Sequence, residues 1–390
     1  MLTLELHEAR IPMGRTFRHA ASSRAASASV LVAVRDQDIV GWGEAAPREY
    51  VTGESVQSVV DVLAGLPRPG RLAELLRCPP EEALPALAGL RLAETLGAPA
   101  AAAGLETALF DLVCRRHGVT GFDGLDQAGF GDLLTPAPAA VRVATVLDLD
   151  RDPVEHLNAL PEADRRLVPH VKLKAGPDVA AALTLVSRVR ELLPVATTLS
   201  VDANGAWAAD AASALAARLV EAGLSWVEEP LAPRRWAKLA ELRRSGLSVM
   251  LDESFAGERD LEACLRHASA DLLNLRVSKC GGPLRLLALA RAARAGGLGV
   301  QVGVQVGEVG PLWAVGRLVA TALRGPVAVE GGRQDEWFPS ELTRPAYRVD
   351  RRASLAPPLT GQGIGLEPTR ELLDRCVPRA VLRLDRVKAS

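Results

Sequence analysis

Short runs of aliphatic and β-branched residues alternate with helical patterns over the second half of the chain. The eight runs lie at 141–147, 171–174, 199–202, 226–229, 249–252, 272–279, 300–306 and 327–330. Seven helical patterns separate them, and this alternation predicts βαβ units with a parallel sheet. Eight strands at nearly even spacing favour a closed barrel, since no strand-to-helix turn carries the Gly-x-Gly-x-x-Gly of a dinucleotide-binding sheet.

The first part of the chain follows a different rhythm. The runs 30–34 and 39–44 alternate like strands around a short polar turn, which predicts a β-hairpin. The stretch 101–112 is small and apolar nearly all round, as expected of a buried helix. A Gly- and Pro-rich stretch at 118–138 is typical of a linker. The tail beyond about 345 leaves the strand–helix alternation, and we expect it to pack back on the first domain.

Polar side chains collect where successive barrel strands are predicted to end. In chain order these are Lys172 and Lys174, Asp202 and Asn204, Glu228, Asp252 and Lys279. From Lys174 through Asp202, Glu228 and Asp252 to Lys279 the spacings are 28, 26, 24 and 27 residues, each about one βα unit. Because barrel enzymes keep their chemistry at the carboxyl ends of the strands, these side chains should stand together at one barrel mouth.

The acids Asp202, Glu228 and Asp252 predict a metal site. Taken alone, the Asp-x-Asn-Gly at 202–205 is also an ordinary turn sequence. Three carboxylates on adjacent strands, however, would repel one another in a low-dielectric pocket unless a cation neutralised them. A ligand set made only of oxygen, without His or Cys, suits a hard ion such as Mg²⁺.

The lysines of this set indicate proton transfer. Lys172 and Lys174 are two residues apart and so share one face of their strand. Two lysines at one strand end should depress each other's pKa, which makes a lysine usable as a base near neutral pH. Lys279 comes four strands later in an eight-stranded ring and should lie across the mouth from Lys174. A substrate between the two would meet one base on each face.

In this order the residues resemble the enolase superfamily, and within it the muconate-lactonizing (muconate cycloisomerase) subgroup. The motifs are Lys-x-Lys at 172–174, Asp-x-Asn at 202–204, Glu-Glu-Pro at 228–230, Asp-Glu-Ser at 252–254 and Ser-Lys-x-Gly-Gly at 278–282. The resemblance extends over nearly the whole chain, and the strand 41–44 is similar to part of the family's N-terminal capping domain. As a set the motifs identify the superfamily without selecting one of its reactions.

The resemblance implies an α/β fold, namely a modified (β/α)₇β TIM-like barrel with an N-terminal α+β capping domain. We divide the chain into the capping domain at 1–135, the catalytic barrel at 136–345 and a C-terminal segment at 346–390. We expect that last segment to complete the capping domain, and the protein to form a homo-oligomer.

The resemblance also implies Mg²⁺, with Mn²⁺ as a substitute, on the three acids, supported from behind by Asn204 and Glu253. Lys174 and Lys279, with Lys172 beside them, would act as acid and base on the α-proton of a carboxylate substrate, giving a metal-stabilised enediolate. This chemistry indicates an isomerase that works by racemisation, epimerisation or cycloisomerisation. The alternative is a lyase on the same scaffold, as in o-succinylbenzoate synthase or an acid-sugar dehydratase, and the sequence does not separate the two.

Because the capping domain of the family covers the barrel mouth, two of its segments become candidates for substrate contact. They are 15–20, with Phe17 and His19, and 47–54, with Tyr50 and Thr52. Both segments also suit ordinary surface loops, which mix polar and aromatic groups in the same way.

The seventh and eighth predicted strand ends differ from two related groups. The stretch 303–308 has no His, which the mandelate-racemase subgroup would carry there. The stretch 329–335 lacks the Asp-x-Asp by which dipeptide epimerases hold a substrate ammonium, so the motifs do not imply that activity. Glu308 and Glu330 in these stretches fit substrate contacts and ordinary loop acids equally well.

Composition and charge limit the classes of binding partner and the cellular location that we expect. The formal net charge of −1 gives no electrostatic footprint for nucleic acid or anionic lipid. Five cysteines without Cys-x-x-Cys spacing fit reduced thiols. No signal-peptide pattern opens the chain, and no segment has the roughly 18 apolar residues of a membrane span. We expect a cytoplasmic protein that acts on a small-molecule carboxylate and binds neither nucleic acid nor membranes.

Two other classes of function would use parts of this pattern. A lysine Schiff-base lyase on the same barrel would not need the three acids. A non-catalytic protein would bind Mg²⁺ and carboxylates but would exchange no protons. The complete set of acids and lysines favours the metal-dependent enzyme.

Overall fold

The chain is described from a computed structural model over residues 2–19, 22–66, 69–148 and 152–385. Within these ranges the strands β1 to β15 are, in chain order, Leu2–His19, Ser22–Asp36, Ile39–Ala45, Val141–Arg142, Thr145–Leu147, His170–Lys174, Thr198–Asp202, Trp226–Glu228, Val249–Leu251, Leu272–Arg276, Gly299–Gly303, Thr343–Arg344, Leu355–Ala356, Glu367–Pro368 and Cys376–Arg383.

The helices α1 to α17 of the same ranges are Glu49–Thr52, Val56–Ala64, Pro69–Leu75, Pro80–Gly89, Leu92–Leu96, Pro99–Arg116, Gly121–Leu125, Pro153–Ala159, Glu162–Arg165, Val179–Arg190, Ala209–Glu221, Trp236–Arg244, Glu258–His267, Val277–Cys280, Pro283–Ala295, Pro311–Ala322 and Arg370–Asp374. Among these described helices, none combines the length and the apolar character needed to cross a membrane.

The second half of the chain forms a parallel sheet in the order β11-β10-β9-β8-β7-β6-β5. The segment 327–330 closes it, because Val329 bridges to Val302 of β11 on one side and its carbonyl accepts from the Ala144 N–H, at 2.8 Å, on the other. Buried aliphatic residues of the strands, such as Val171 and Leu273, pack against the helices between them. The predicted TIM-like barrel with a capping domain is confirmed.

The capping domain is a four-stranded antiparallel sheet in the order β15-β1-β2-β3, with α6 packed on it. The C-terminal strand β15 pairs with β1 and so returns the tail to the first strand. A Cβ on Gly43 would lie 1.9 Å from the carbonyl oxygen of Gly104, so β3 and α6 touch through their backbones. Residues 100–114 of α6 are all buried, which confirms the helix predicted at 101–112.

Three local predictions differ from the structure. The stretch 118–138, expected to be a linker, contains α7, a π-helical turn at Asp126–Phe130 and a 3-10 turn at Gly131–Leu133. A loop at 15–20 is also not observed, because residues 15–19 belong to the long strand β1, which ends at His19. The sixth barrel strand ends at Arg276, and the next four residues form the single helical turn α14.

Two buried carboxylates of the capping domain attach it to the barrel. Glu44 of β3 accepts three backbone N–H bonds of 2.9–3.2 Å at the start of α16. Glu106 of α6 accepts two, of 2.8 and 3.2 Å, at the start of α15. The first N–H groups of a helix have no partner within it, so each carboxylate satisfies donors that would otherwise be unpaired.

Candidate active site

The register of the parallel strands brings the predicted site residues together. Lys174 lies opposite Asp202 in the β6–β7 pairing, and Asp202 lies opposite Glu228 in the β7–β8 pairing. Asp252 follows the last residue of β9, and Arg276 is the last residue of β10. These side chains therefore share the carboxyl edge of the sheet, where barrel enzymes place their reacting groups.

Asp202 and Glu228 are fully buried and are held by lysines and an amide. Asp202 Oδ2 lies 2.7 Å from Lys174 Nζ and 3.2 Å from Lys172 Nζ. The Glu228 carboxylate lies 2.8 Å from Lys172 Nζ and accepts a 2.9 Å bond from Asn274 Nδ2. Burial disfavours both charges, but the lysines outweigh it at Asp202 and hold its pKa below the usual range. At Glu228, burial and the neighbouring acids raise the pKa to about 7.

Lys172 serves as the central cation of this cluster. Its Nζ lies 2.6 Å from Glu330 Oε1 in addition to its contacts with Asp202 and Glu228, and the side chain is almost fully buried. Burial opposes the charge, but the three carboxylates outweigh it and raise the pKa of Lys172 well above its ordinary value. The expectation that the paired lysines depress each other's pKa is wrong for Lys172, because the carboxylates of Glu228, Glu330 and Asp202 surround its ammonium.

Lys174 is supported by the two residues expected behind the site. Its Nζ donates to Asn204 Oδ1 at 2.9 Å, and Asn204 Nδ2 donates to Glu253 Oε1 at 3.2 Å. Asn204 adopts a left-handed backbone conformation with φ of 45°, and its backbone N–H donates to Asp202 Oδ1 at 3.0 Å. This chain of hydrogen bonds fixes the direction of the Lys174 side chain, which remains 17% exposed at the cavity.

Lys279 is not among the described residues that line the cavity. Its Nζ donates to the Asp252 carbonyl oxygen at 2.7 Å, to Asp252 Oδ1 at 2.7 Å and to the Asn274 carbonyl oxygen at 2.9 Å. An ammonium has three N–H donors, so these bonds use all of them. The side chain is 1% exposed, and among the described residues it is Arg276, not Lys279, that lines the cavity beside Asp252.

Arg276 was not singled out from the sequence. Its guanidinium donates to Asp252 Oδ2 and, at 3.2 Å, to Gln305 Oε1. Burial opposes the charge on Asp252, but Arg276 and Lys279 outweigh it and hold the pKa of this carboxyl below its usual range. The alternation of β10, which turns Asn274 and Arg276 to the same side, was the available signal.

The donor set of Asp202, Glu228 and Asp252 fits a hard divalent cation, because it offers carboxylate oxygens from three neighbouring strands. In this structure lysine and arginine side chains hold these oxygens instead. Over the described ranges no three Asp, Glu, His or Cys side chains are grouped closely enough to hold a metal ion as they stand. The chemistry of the donors therefore fits Mg²⁺.

A cavity of about 90 Å³ opens above these groups. The charged side chains on its wall are Lys172, Lys174, Arg15, Arg276, Arg333, Asp148 and Glu330. Its apolar part includes Phe17, Trp337, Val304 and Val306. The wall thus carries more positive than negative groups and a hydrophobic side, which suits an anionic ligand with an apolar portion.

The capping domain supplies part of this wall. Phe17 meets Trp337 edge to face, with 5.7 Å between ring centroids, and the Arg15 guanidinium lies 4.1 Å from the Trp337 ring centroid. Tyr50 also lines the cavity, whereas among the described side chains Thr52 does not. The side chain of His19 lies outside the described part of the structure.

The segment 47–54 is held at both ends, which fixes the position of Tyr50. Arg48 donates to the carbonyl oxygen of Val306 in the barrel at 3.0 Å. Glu54 accepts bonds of 2.7 and 3.0 Å from the first N–H groups of α6. Burial lowers the pKa of Arg48 to about 10.

Glu330 and Glu308, whose roles the sequence left open, have different surroundings in the structure. Glu330 lines the cavity but is bound to Lys172, and its Oε2 accepts from the Val304 N–H at 3.3 Å. Glu308 accepts a 2.6 Å bond from the Gln305 N–H and a 2.8 Å bond from Gln334 Nε2. Burial raises the pKa of Glu308 to about 8. Both acids therefore have partners within the protein.

Glu229 is a further residue that sequence reasoning left without a role. It accepts from the N–H groups of Asp252 at 2.8 Å and Ser254 at 3.0 Å, and from the Ser254 hydroxyl. Its backbone is left-handed, with φ of 38°, before Pro230. Burial, with the charge of Glu253, raises the pKa of Glu229 to about 8. The second Glu of Glu-Glu-Pro thus shapes the loop that presents Asp252.

A family model described as "Enolase C-terminal domain-like" matches residues 156–372 of the chain. Among curated proteins, the N-succinyl-L-Arg/Lys racemase of Bacillus cereus is 24% identical over 306 residues, which is 78% of this chain and 79% of that protein. The L-Ala-D/L-Glu epimerase of Bacillus subtilis is 27% identical over 288 residues, or 72% of this chain and 74% of that protein.

Solved structures show the same architecture. The crystal structure of the N-succinyl Arg/Lys racemase from Bacillus cereus superimposes with a TM-score of 0.79 at 21% identity, covering 98% of this chain and 99% of that one. A dipeptide epimerase from Cytophaga hutchinsonii, in complex with Mg and D-Ala-L-Val, gives 0.78 at 18% identity, covering 98% and 100%. At such identities these likenesses describe the fold.

Proposed function

The chain belongs to the enolase superfamily, and on this premise we propose that it is an isomerase acting on a small-molecule carboxylate. Lys174 removes the α-proton of the substrate in the first step. The observation that carries this proposal is the position of Lys174 Nζ, at the cavity wall and 2.7 Å from Asp202. A base must reach the proton it abstracts, and among the cavity lysines Lys174 is the more exposed one, since Lys172 is enclosed by three carboxylates.

Asp202, Glu228 and Asp252 would hold Mg²⁺, with Mn²⁺ as a substitute. When bound, such an ion neutralises the negative charge that develops on the substrate carboxylate as the α-proton leaves. Lys172 stays charged among the acids and keeps Glu228 and Glu330 in place, as their 2.8 and 2.6 Å contacts indicate. Asn204 and Glu253 orient Lys174 from behind.

The walls of the cavity support an anionic substrate with an apolar part. Arg15 and Arg333 line the cavity, and both are paired with Asp148, at 3.8 and 3.9 Å, and with Glu336, at 3.6 and 2.7 Å. Phe17 and Trp337 provide the apolar contact. Because the charged side chains of the wall are mainly cationic, a second carboxylate group on the substrate suits this cavity.

A lyase that eliminates a β-substituent after the same first step is the second candidate. The observation that favours it is Arg276, a guanidinium at the position where a racemase would need a second base. Elimination requires a base and a leaving group, and needs no base on the opposite face.

The proposal is tested by following α-proton exchange in deuterated water with Mg²⁺ present. The panel consists of N-acylated amino acids, dipeptides, muconates and acid sugars, observed by proton NMR. Wild type should exchange the α-proton of at least one class, and Lys174→Ala should reduce the rate by at least about 100-fold. Lys238→Ala is the matched control, because Lys238 is 45% exposed and pairs with Glu241 on the surface. Exchange that survives in Lys174→Ala, or is absent from wild type with every class, contradicts the proposal.

A further inference from the structure

The wall of the cavity opposite Lys174 is formed by an arginine. In the sheet order, β10 lies four strands from β6, and the closed ring has eight strands with the segment 327–330. The last residues of these two strands, Arg276 and Lys174, therefore face each other across the mouth. Both side chains line the same cavity.

Two hydrogen bonds fix the orientation of the Arg276 guanidinium. One terminal nitrogen donates to Gln305 Oε1 at 3.2 Å and the other donates to Asp252 Oδ2. The side chain is 12% exposed and lines the cavity. Lys279, the nearest lysine in the sequence, is excluded from this role because its three N–H donors are used by the carbonyl oxygens of Asp252 and Asn274 and by Asp252 Oδ1.

The chemistry of the two walls differs in kind. A lysine amine can accept a proton and return it, whereas a guanidinium remains protonated in proteins and offers only donors. A guanidinium suits a different task, which is to bind a carboxylate or stabilise a departing anionic oxygen. The substrate would thus meet a base on one face and a fixed cation on the other.

We infer that Lys174 is the single base of the site, so that every proton transfer takes place on its face of the substrate, opposite the fixed cation Arg276. This inference rests on the proposed function and narrows it. It excludes racemisation by two bases and leaves cycloisomerisation or elimination on one face.

One base is enough to account for every proton and electron pair in such a reaction. The α C–H bond breaks, its proton forms an N–H bond on Lys174, and its electron pair moves into the substrate carboxylate. In an elimination that pair forms the C=C bond as the β C–O bond breaks, and Lys174 gives its proton to the departing hydroxyl, which leaves as water. In a reversal of the first step, the proton returns to the same face and configuration is retained.

The experiment takes the chiral substrates of the panel that wild type exchanges, whether N-acylated amino acids, dipeptides or acid sugars. It compares their stereoisomers of opposite configuration at the α-carbon in deuterated water, with the Mg²⁺-loaded full chain, by proton NMR and chiral chromatography. One enantiomer should exchange its α-proton at least about 100-fold faster than the other and keep its configuration. Arg276→Lys, which places an amine on the second wall, should raise exchange of the slow enantiomer at least tenfold. Arg291→Lys is the control, because Arg291 is 44% exposed and pairs with Asp132 away from the cavity.

Comparable exchange of both enantiomers by wild type would overturn the single-base inference and leave the proposed function standing. In Lys174→Ala, loss of exchange of the fast enantiomer with persisting exchange of the slow one would also overturn the inference alone, since it would keep Lys174 as a base and reveal a second one. Absence of exchange by wild type with the whole panel is a different result, because it removes the proposed function itself and the inference with it.

Discussion

The ammonium of Lys174 lies 2.7 Å from Oδ2 of Asp202, its direct neighbour in the parallel pairing of β6 and β7. One residue of this pair is the proposed base and the other a proposed metal ligand. Their contact means that the charge at one position is sensed at the other. The site therefore works as one electrostatic unit, and single substitutions should be measured for metal affinity as well as for turnover.

We expect each proposed metal ligand to be needed for Mg²⁺ binding. Asp202→Asn, Glu228→Gln and Asp252→Asn each remove a negative oxygen donor while keeping the size of the side chain. Titration calorimetry should show Mg²⁺ affinity weakened at least tenfold in each variant. Asp132→Asn is the control, since its carboxylate is 62% exposed on the surface. Unchanged affinity in all three variants would remove the metal site.

Lys279 should matter more for stability than Lys174 does. Lys279→Met leaves two buried carbonyl oxygens and Asp252 without their donor, a loss of about 2 kcal/mol or more in the free energy of unfolding. Lys174→Met removes a side chain at the cavity wall and should cost less than half as much. Urea unfolding of the two variants measures the difference. Equal losses would contradict the buried, positioning role of Lys279.

The capping segments should set substrate preference without taking part in proton transfer. Phe17→Ala and Tyr50→Ala open the apolar wall of the cavity, so the ratio of kcat/KM between substrates of different size should change severalfold. Thr52→Ala is the matched control from the same segment as Tyr50, because within the described structure Thr52 stays off the cavity wall. A substrate panel with the same order and ratios for all three variants would show that these segments do not select the substrate.

Stability should fall with rising pH because of Glu106. Burial raises its pKa to about 8 from the ordinary value of 4.5. Between these values the folded protein keeps a proton that the unfolded chain releases, so the free energy of unfolding decreases as pH rises from about 5 to about 8. Glu106→Gln keeps an acceptor for the α15 N–H groups and removes the titration. Its stability should depend less steeply on pH, by up to about 1.4 kcal/mol per pH unit.

Denaturant unfolding at a series of pH values measures this difference, with the exposed Glu81→Gln as control. The control should follow the wild-type curve. Parallel curves for wild type and Glu106→Gln would show that Glu106 does not hold its proton in the folded protein.

The barrel and its acids could be predicted because local sequence determines them. Asp202 and Glu228 end apolar runs, and parallel register then brings them together whatever the loops do. The sequence pattern predicts Lys279 at the barrel mouth because the apolar run continues through Val277, which conceals the end of β10 at Arg276. Spacing could not correct this, since Arg276 lies 24 residues after Asp252, the same distance as Asp252 from Glu228.

Contacts between distant segments could not be predicted in this way. The bonds of Lys172 to Glu330 and of Arg48 to Val306 join residues 158 and 258 positions apart, and no local pattern encodes them. The helical turns within 118–138 were hidden by their glycines, one of which, Gly129, takes a φ of 91°. Composition alone therefore indicated a linker where the chain folds into short helical turns.

Glu44 and Glu106, which join the capping domain to α16 and α15, affect how well domains of related proteins can be exchanged. A chimera that takes its first 135 residues from one protein and its barrel from another inherits Glu44 and Glu106 from one parent and the helix starts from the other. Where a parent lacks either acid, the transplanted domain would leave buried N–H groups unpaired and could settle at a new angle over the mouth. Exchange of substrate specificity by whole-domain grafting should therefore succeed when both acids are carried along, and these two positions are the first to inspect in choosing partners.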